Sequence, residues 1–201
     1  MDKGVVAVLV VSAFFTFLVV GAPLAMPTGT TGDLSGLVGT VDNEGAFAAY
    51  PQPWKWIYQA GDVACHQKAA RSFTLNGNQM PFCSRDVAIF VGLTVGLALC
   101  VDARRRIYER VVMLPWWAYF ALLLPIALDG GFQDFLGFES DNVRRILTGV
   151  PAGLAVAFAL VFISYEGSFA WARYRASRGT GSEASKDVES APIEKKKALQ
   201  P

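Results

Sequence analysis

Histidine is nearly absent from this chain: His66 is the single one in 201 residues. That excludes a haem held by two histidines of the chain and any histidine-rich metal cage. There are three cysteines, too few for a scaffold built on disulfides. Charged residues make up 17%, where a soluble domain carries about 25%, and that argues against an ordinary soluble enzyme. The 18 basic and 17 acidic side chains almost cancel, leaving no basic field with which to hold nucleic acid. Also missing are a glycine-rich phosphate loop, His-Glu-x-x-His, Gly-x-Ser-x-Gly and Cys-x-x-Cys. Composition and motifs therefore name no reaction.

What the chain has instead is apolar runs. A membrane-spanning helix needs about 20 mostly apolar residues. Gly4–Ala25, Val87–Val101 with Met80–Asp86 as its outer end, Val111–Leu128 and Ile146–Tyr165 meet or approach that length. The expected fold is all-α: a polytopic membrane protein with a bundle of four transmembrane helices and one interfacial helix. The first run, after Lys3, also reads as a secretory signal with cleavage near Ala22–Met26. An uncleaved anchor is the preferred reading, and both place residues 26–86 on the same side. The expected organisation is a first helix over 1–26, an irregular outer loop over 27–52, a membrane domain over 53–172 and a disordered cytoplasmic tail over 173–201.

Basic loops stay in the cytoplasm. The segment 102–110 (DARRRIYER) holds four arginines, and the tail is rich in lysine and arginine. Both termini are therefore expected inside, with residues 27–86 and 129–145 extracytoplasmic. The lipid bilayer is the first partner. Gly92–Gly96, a G-x-x-x-G motif, offers a contact face for a homodimer.

The unusual residues converge on the outer face. The long loop carries Trp54, Trp56 and Tyr58, then Cys65-His66-Gln67, Arg71 and Cys83-Ser84-Arg85. The short loop carries Asp129, Gln133, Glu139, Asn142 and Arg145. Trp54, Ile57, Tyr58 and Gly61 recur at helical spacing, which predicts a helix with its rings at the interface. Glu139, Asn142 and Arg145 are spaced so as to share neighbouring parts of one helical face. Asp129 or Glu139 is expected to pair with Arg145 or Arg85. His66, Arg71, Arg85, Asp129, Glu139, Asn142 and Arg145 are the candidates for ligand binding or catalysis.

Three readings of the sulfur residues stay open. Cys65 and Cys83, facing an oxidising compartment, suit a disulfide. Cys65, His66 and Cys83, joined by an acid from the short loop, suit a metal ion, although usual zinc ligand spacing is lacking and adjacent helical residues diverge. In the third reading His66 is a general acid or base, with Arg71, Arg85 or Arg145 holding an anionic head group. Cys100 reads as a small buried hydrophobe.

Cys65-His66-Gln67, Arg71-Ser72-Phe73, Pro81-Phe82-Cys83-Ser84-Arg85, Asp129-Gly130, Glu139-Ser140-x-Asn142, Arg145 and Thr148-Gly149, taken in order over about residues 55–165, resemble a family of small prokaryotic membrane proteins catalogued as a domain of unknown function. Members commonly have a second cysteine two or three residues after the first of Phe-Cys-x-Arg; here that stretch reads Asp86-Val87. The resemblance implies no activity and directs attention to the outer-face polar set. The leading expectation is a membrane protein whose polar face binds a small anionic or polar ligand or a lipid head group. The alternatives are an interfacial enzyme using His66, and a metal-binding protein or transporter subunit.

Overall fold

The computed structural model of the protein describes residues 3–102, 106–137 and 139–177. Among them are seven α-helices: α1 (Lys3–Ala25), α2 (Glu44–Phe47), α3 (Trp54–Ala64), α4 (Ser84–Asp102), α5 (Arg106–Val112), α6 (Trp116–Leu136) and α7 (Asn142–Ser177). Three helices are long and apolar enough to cross a membrane: α1, Ser84–Val101 of α4, and Asn142–Trp171 of α7. Their outward sides carry Val10, Val11, Phe14, Phe17, Val95, Leu147 and Ile163 exposed. Such a face is stable against lipid tails and costly in water.

The helices pack unequally. The closest pair is α4 with α7, and glycine is the reason. A Cβ on Gly92 would strike the Val150 carbonyl oxygen, and one on Gly153 the Ile89 carbonyl oxygen. A Cβ on Gly96 would lie 2.6 Å from Ala157 Cβ, and one on Gly149 2.7 Å from the Arg85 carbonyl oxygen. Small residues let apolar helices approach backbone to backbone and gain dispersion contact. The Gly92–Gly96 face expected to meet a second copy is thus filled by α7 of the same chain. On the other side of α4, Ser12 Oγ bonds Thr94 Oγ1 at 2.8 Å. Phe15 of α1 sits edge-on to Phe82 and Phe90.

The expected third span, Val111–Leu128, is not one helix, and α6 is not among the three helices that meet the length and hydropathy of a crossing. The helix of α5 stops at Val112 and α6 restarts at Trp116, behind Pro115. Proline has no N–H for the ladder and disfavours α geometry in the residue before it. Helix α6 then runs past Asp129 to Leu136 and ends on Gly137, which has φ 65. Asp129 and Gln133, expected in a loop, therefore stand one turn apart on a helix wall. Helix α7 likewise runs on to Ser177, beyond the expected start of the tail. The rest of that tail, from residue 178, lies outside the described residues.

The all-α expectation misses a small hairpin, β1 (Thr74–Leu75) paired antiparallel with β2 (Asn78–Gln79). Its turn is Asn76-Gly77, with φ 51 and 70, the left-handed pair that a two-residue hairpin loop needs. The hairpin belongs to a cap built from residues 26–83. Asn78 binds the cap to α1: Nδ2 donates to the Pro23 carbonyl at 2.9 Å, and Oδ1 accepts from Thr30 and Thr31 N–H at 2.8 and 3.0 Å. Leu34, Phe47, Tyr50, Tyr58 and Met80 form the apolar interior beneath. Residues 27–52 are irregular apart from α2, and they supply Leu34, Phe47 and Tyr50 to that interior. Helix α3 buries Ile57, Tyr58, Gly61 and Asp62 against the cap, while Trp56 is exposed. Its apolar face is therefore a packing face, with Trp56 as the ring left at the surface.

The glycine contact yields a stability prediction. Gly153→Ala should lower the unfolding free energy by about 1–3 kcal/mol, the usual cost of overpacking, because the obstacle is backbone. Gly167→Ala, with nothing near its Cβ, should change the thermal melt little or raise it slightly. Thermal unfolding of the two variants in one detergent checks this.

Candidate functional site

Four helix ends meet beneath the cap. Ser84 Oγ donates to Asn142 Oδ1 at 2.8 Å, which ties the N-termini of α4 and α7 side by side. Asp141 caps α7: its Oδ1 accepts from Arg144 N–H at 2.8 Å, satisfying a donor that the first turn leaves open. Glu139 precedes this cap, so it stands outside the helix instead of sharing a face with Asn142 and Arg145.

Three guanidinium groups gather here. Arg71, at the end of the short 3₁₀ turn Ala69–Arg71, bonds Glu139 Oε1 at 2.5 Å. Arg85, in the first turn of α4, pairs with Asp129 of α6. Both pairings link segments far apart in sequence. Asp129 with Arg85 is one of the expected pairings, whereas Glu139 takes Arg71, which was not among the expected partners. Arg145 is different. It is 2% exposed, and its partners are neutral oxygens: Nε donates to the Ser140 carbonyl at 2.9 Å and Nη2 to Gln133 Oε1 at 2.8 Å. Gln133 Oε1 also accepts from Arg85 Nη2 at 3.4 Å, so one amide oxygen separates two cations. Arg71 Nε and Arg85 Nε are buried without a hydrogen-bond partner.

The sulfur residues lie beside this cluster. Sγ of Cys65, Sγ of Cys83 and a carboxylate oxygen of Asp86 all fall within 4.8 Å of one another. All three cysteines of the chain are unbridged thiols. Hydrogen bonding from Cys83 lowers the pKa of Cys65. That same sharing, burial and the charge of Asp86 push the Cys83 thiol well above the usual range. Cys65 and Cys83 meet because the cap brackets them. Gln67 Nε2 donates to the Tyr58 carbonyl at 3.2 Å and the Pro81 carbonyl at 2.7 Å. A Cβ on Gly61 would collide with that Pro81 oxygen. Cys100 is far along α4 in a separate apolar cluster with Leu97, Val111 and Val161.

His66 is not gathered in. Its side chain is exposed, and only its carbonyl is engaged, accepting from Gly36 N–H at 3.1 Å. The third donor beside the two sulfurs is Asp86 in its place. Three participants escaped the sequence reading as site parts. Asp86 was placed on the outer face beside Cys83 and as a departure from a motif, but not named as a site residue. Gln133 carried the signal of standing four residues after Asp129. Asp62, 1% exposed, accepts from Asn43 N–H at 3.0 Å and Asn43 Nδ2 at 2.7 Å and so anchors the cap. A lone acid on an apolar helix face was its only mark.

Residues 65–159 match the family described as predicted membrane protein (DUF2085). An uncharacterized protein of Methanocaldococcus jannaschii is 32% identical over 117 residues, covering 56% of this chain and 74% of that protein. The chain belongs to this family. A second family relative, an uncharacterized protein of Methanothermobacter thermautotrophicus, is 33% identical over 94 residues, covering 46% of this chain and 80% of that protein. No solved structure matches. The DUF2085 stretch begins at Cys65 and takes in α4, α5, α6 and the first half of α7, hence Cys65, Cys83 and all three arginines. Helix α1 and residues 26–64 precede it.

The Arg71–Glu139 link makes a pH prediction. The guanidinium of Arg71 hydrogen-bonds the Glu139 carboxylate and holds its pKa below the ordinary value. A group depressed in the folded state stabilises above its unfolded pKa, and that contribution is lost as pH falls through the folded one. Between neutral pH and the ordinary glutamate range the melting temperature should be insensitive to this pair; below that range it should fall. Glu139→Gln should flatten that acid limb, measured as melting temperature against pH beside the parent.

Proposed function

We propose that this protein is a four-span integral membrane protein whose Arg71–Arg85–Arg145 cluster binds a small oxyanion or an anionic lipid head group on the extracytoplasmic face. In this reading α1, α4, α6 and α7 cross the bilayer. Helix α6 is the fourth span because its 21 residues reach about 31 Å and it lies along α7. Both termini are cytoplasmic, with residues 27–86 and 129–145 outside. The arginine-rich segment 102–110 between α4 and α6 supports that sidedness. The packing of α1 on α4 supports a retained first helix.

One observation carries the ligand reading. Arg145 is a buried cation with no carboxylate of its own among the described residues. The like charges of Arg85 and Arg71 act on it. Asp129 and Cys83 act favourably, but Asp129 already serves Arg85, and Cys83 holds its proton toward Asp86. A buried charge is costly unless it is paired. An oxyanion would satisfy Arg145 and could accept from the unpartnered Nε groups of Arg71 and Arg85. Guanidinium donors suit such planar, multiply accepting oxygens. Free anions and phosphate head groups share this chemistry.

Two arms of one experiment test it. The full chain in neutral detergent is melted with added inorganic phosphate, and separately with phosphatidylglycerol. Either or both should raise the melting temperature; the arm that does so identifies the source. Arg145→Met should weaken that effect by at least tenfold in apparent affinity, about 1.4 kcal/mol. Without anion it should melt at or above the parent, since an uncompensated charge has been removed. A parent indifferent to both anions sinks the reading. So does an Arg145→Met protein that is equally destabilised with and without them, which would make Arg145 a structural bridge between Gln133 and Ser140.

A further inference from the structure

The cluster of Cys65, Cys83 and Asp86 is not explained by anion binding. Its donors come from three places: Cys65 caps the end of α3 in extended backbone, Cys83 precedes α4, and Asp86 lies in the first turn of α4. Cys83 is 8% exposed, and Cys65 and Asp86 are half-buried. Cys83 Sγ donates to Asp86 Oδ2 at 3.0 Å. Asp86 forms no ion pair with a described residue. A carboxylate set beside two sulfurs has no task in a plain disulfide. It does complete a mixed sulfur and oxygen donor set.

We propose that Cys65, Cys83 and Asp86 form a site for a thiophilic divalent ion of the zinc class. A tetrahedral site with metal–sulfur bonds of about 2.3 Å and metal–oxygen bonds of about 2.0–2.2 Å sets its donors about 3.5–3.8 Å apart. Donors already within 4.8 Å need to close by only about 1 Å. The cap preorganises them, because Gln67 clips the chain after Cys65 to the chain before Cys83, as the supporting shell of a metal site must. Loading displaces the two thiol protons to solvent and forms two metal–sulfur bonds and one metal–oxygen bond; nothing is oxidised or reduced. Three protein ligands leave a fourth position for water or an added ligand. The site uses none of the three arginines.

The test uses the full chain in detergent, reduced and freed of metal, titrated with cobalt(II) as the optical probe. One equivalent should give a thiolate-to-cobalt charge-transfer band and the strong visible bands of a four-coordinate ion. Cys65→Ser and Cys83→Ser should each remove most of the charge-transfer band and weaken binding at least tenfold. Asp86→Asn should weaken binding while keeping the band. Asp86→Cys should intensify the band, a gain that misfolding cannot mimic. His66→Ala and Cys100→Ser should bind like the parent. Metal-free melting curves show which variants fold. A folded, reduced parent without the band overturns the proposal. So does loss of the band in His66→Ala, or a Cys65–Cys83 disulfide in never-reduced protein.

Discussion

The approach of α4 to α7 governs the placement of everything polar in this protein. Gly92, Gly96, Gly149 and Gly153 remove side chains where the two backbones meet. The contact holds the first turns of both helices level, and those turns carry Ser84, Arg85, Asp86, Asn142 and Arg145. A wider spacing would break the Ser84–Asn142 hydrogen bond and draw Arg85 away from the Gln133 oxygen it shares with Arg145. Lipid offers no hydrophobic drive between helices, so such fit must come from dispersion and a few hydrogen bonds. The seam that fixes the fold is thus also the ruler that fixes the site.

Charge at this end is arranged asymmetrically. Arg71 and Arg85 each have an acid reached across the fold, and Arg145 has only dipoles. Glutamine is well suited to stand between two cations, since its amide oxygen accepts twice without adding charge. The cap contributes by exclusion. Its buried Tyr58, Gln67, Asn78 and Gln79 close the space over the helix ends with hydrogen bonds of their own, such as Tyr58 Oη to the Gln79 carbonyl at 2.8 Å. The effective dielectric beneath is lower than in water, which strengthens both the repulsion between the arginines and any attraction for an anion.

The membrane character of the chain was plain in its sequence, because apolar runs and scarce charge are properties of single segments. The convergence of Cys65, Cys83, Arg85, Asp129, Glu139 and Arg145 at one end also followed from the order of those runs. What sequence could not provide was choice among near neighbours. Arg85 and Arg145 were the sequence candidates for Glu139, and the turn at Ala69–Arg71 brings Arg71 to it instead. His66 adjoins Cys65 in sequence, yet the extended backbone at Cys65 leaves it outside the donor cluster. Asp86 enters instead because it lies in the first turn of α4, three residues after Cys83 at the start of that helix. Asn76-Gly77 was a legible turn signal, masked by the polar loop around it. The displaced start of α6 was written in Pro115, since proline marks a helix boundary more sharply than hydropathy does.

Helix α7 has a mechanical consequence. Its 36 residues make a rod about 54 Å long, whereas the hydrocarbon core of a bilayer is about 30 Å thick. One end is seated among the arginines, pinned by Asn142 to α4. The surplus of more than about 20 Å over a bilayer core carries the Ser177 end clear of the apolar stretch Asn142–Trp171, so the helix is anchored at one end and overhangs at the other.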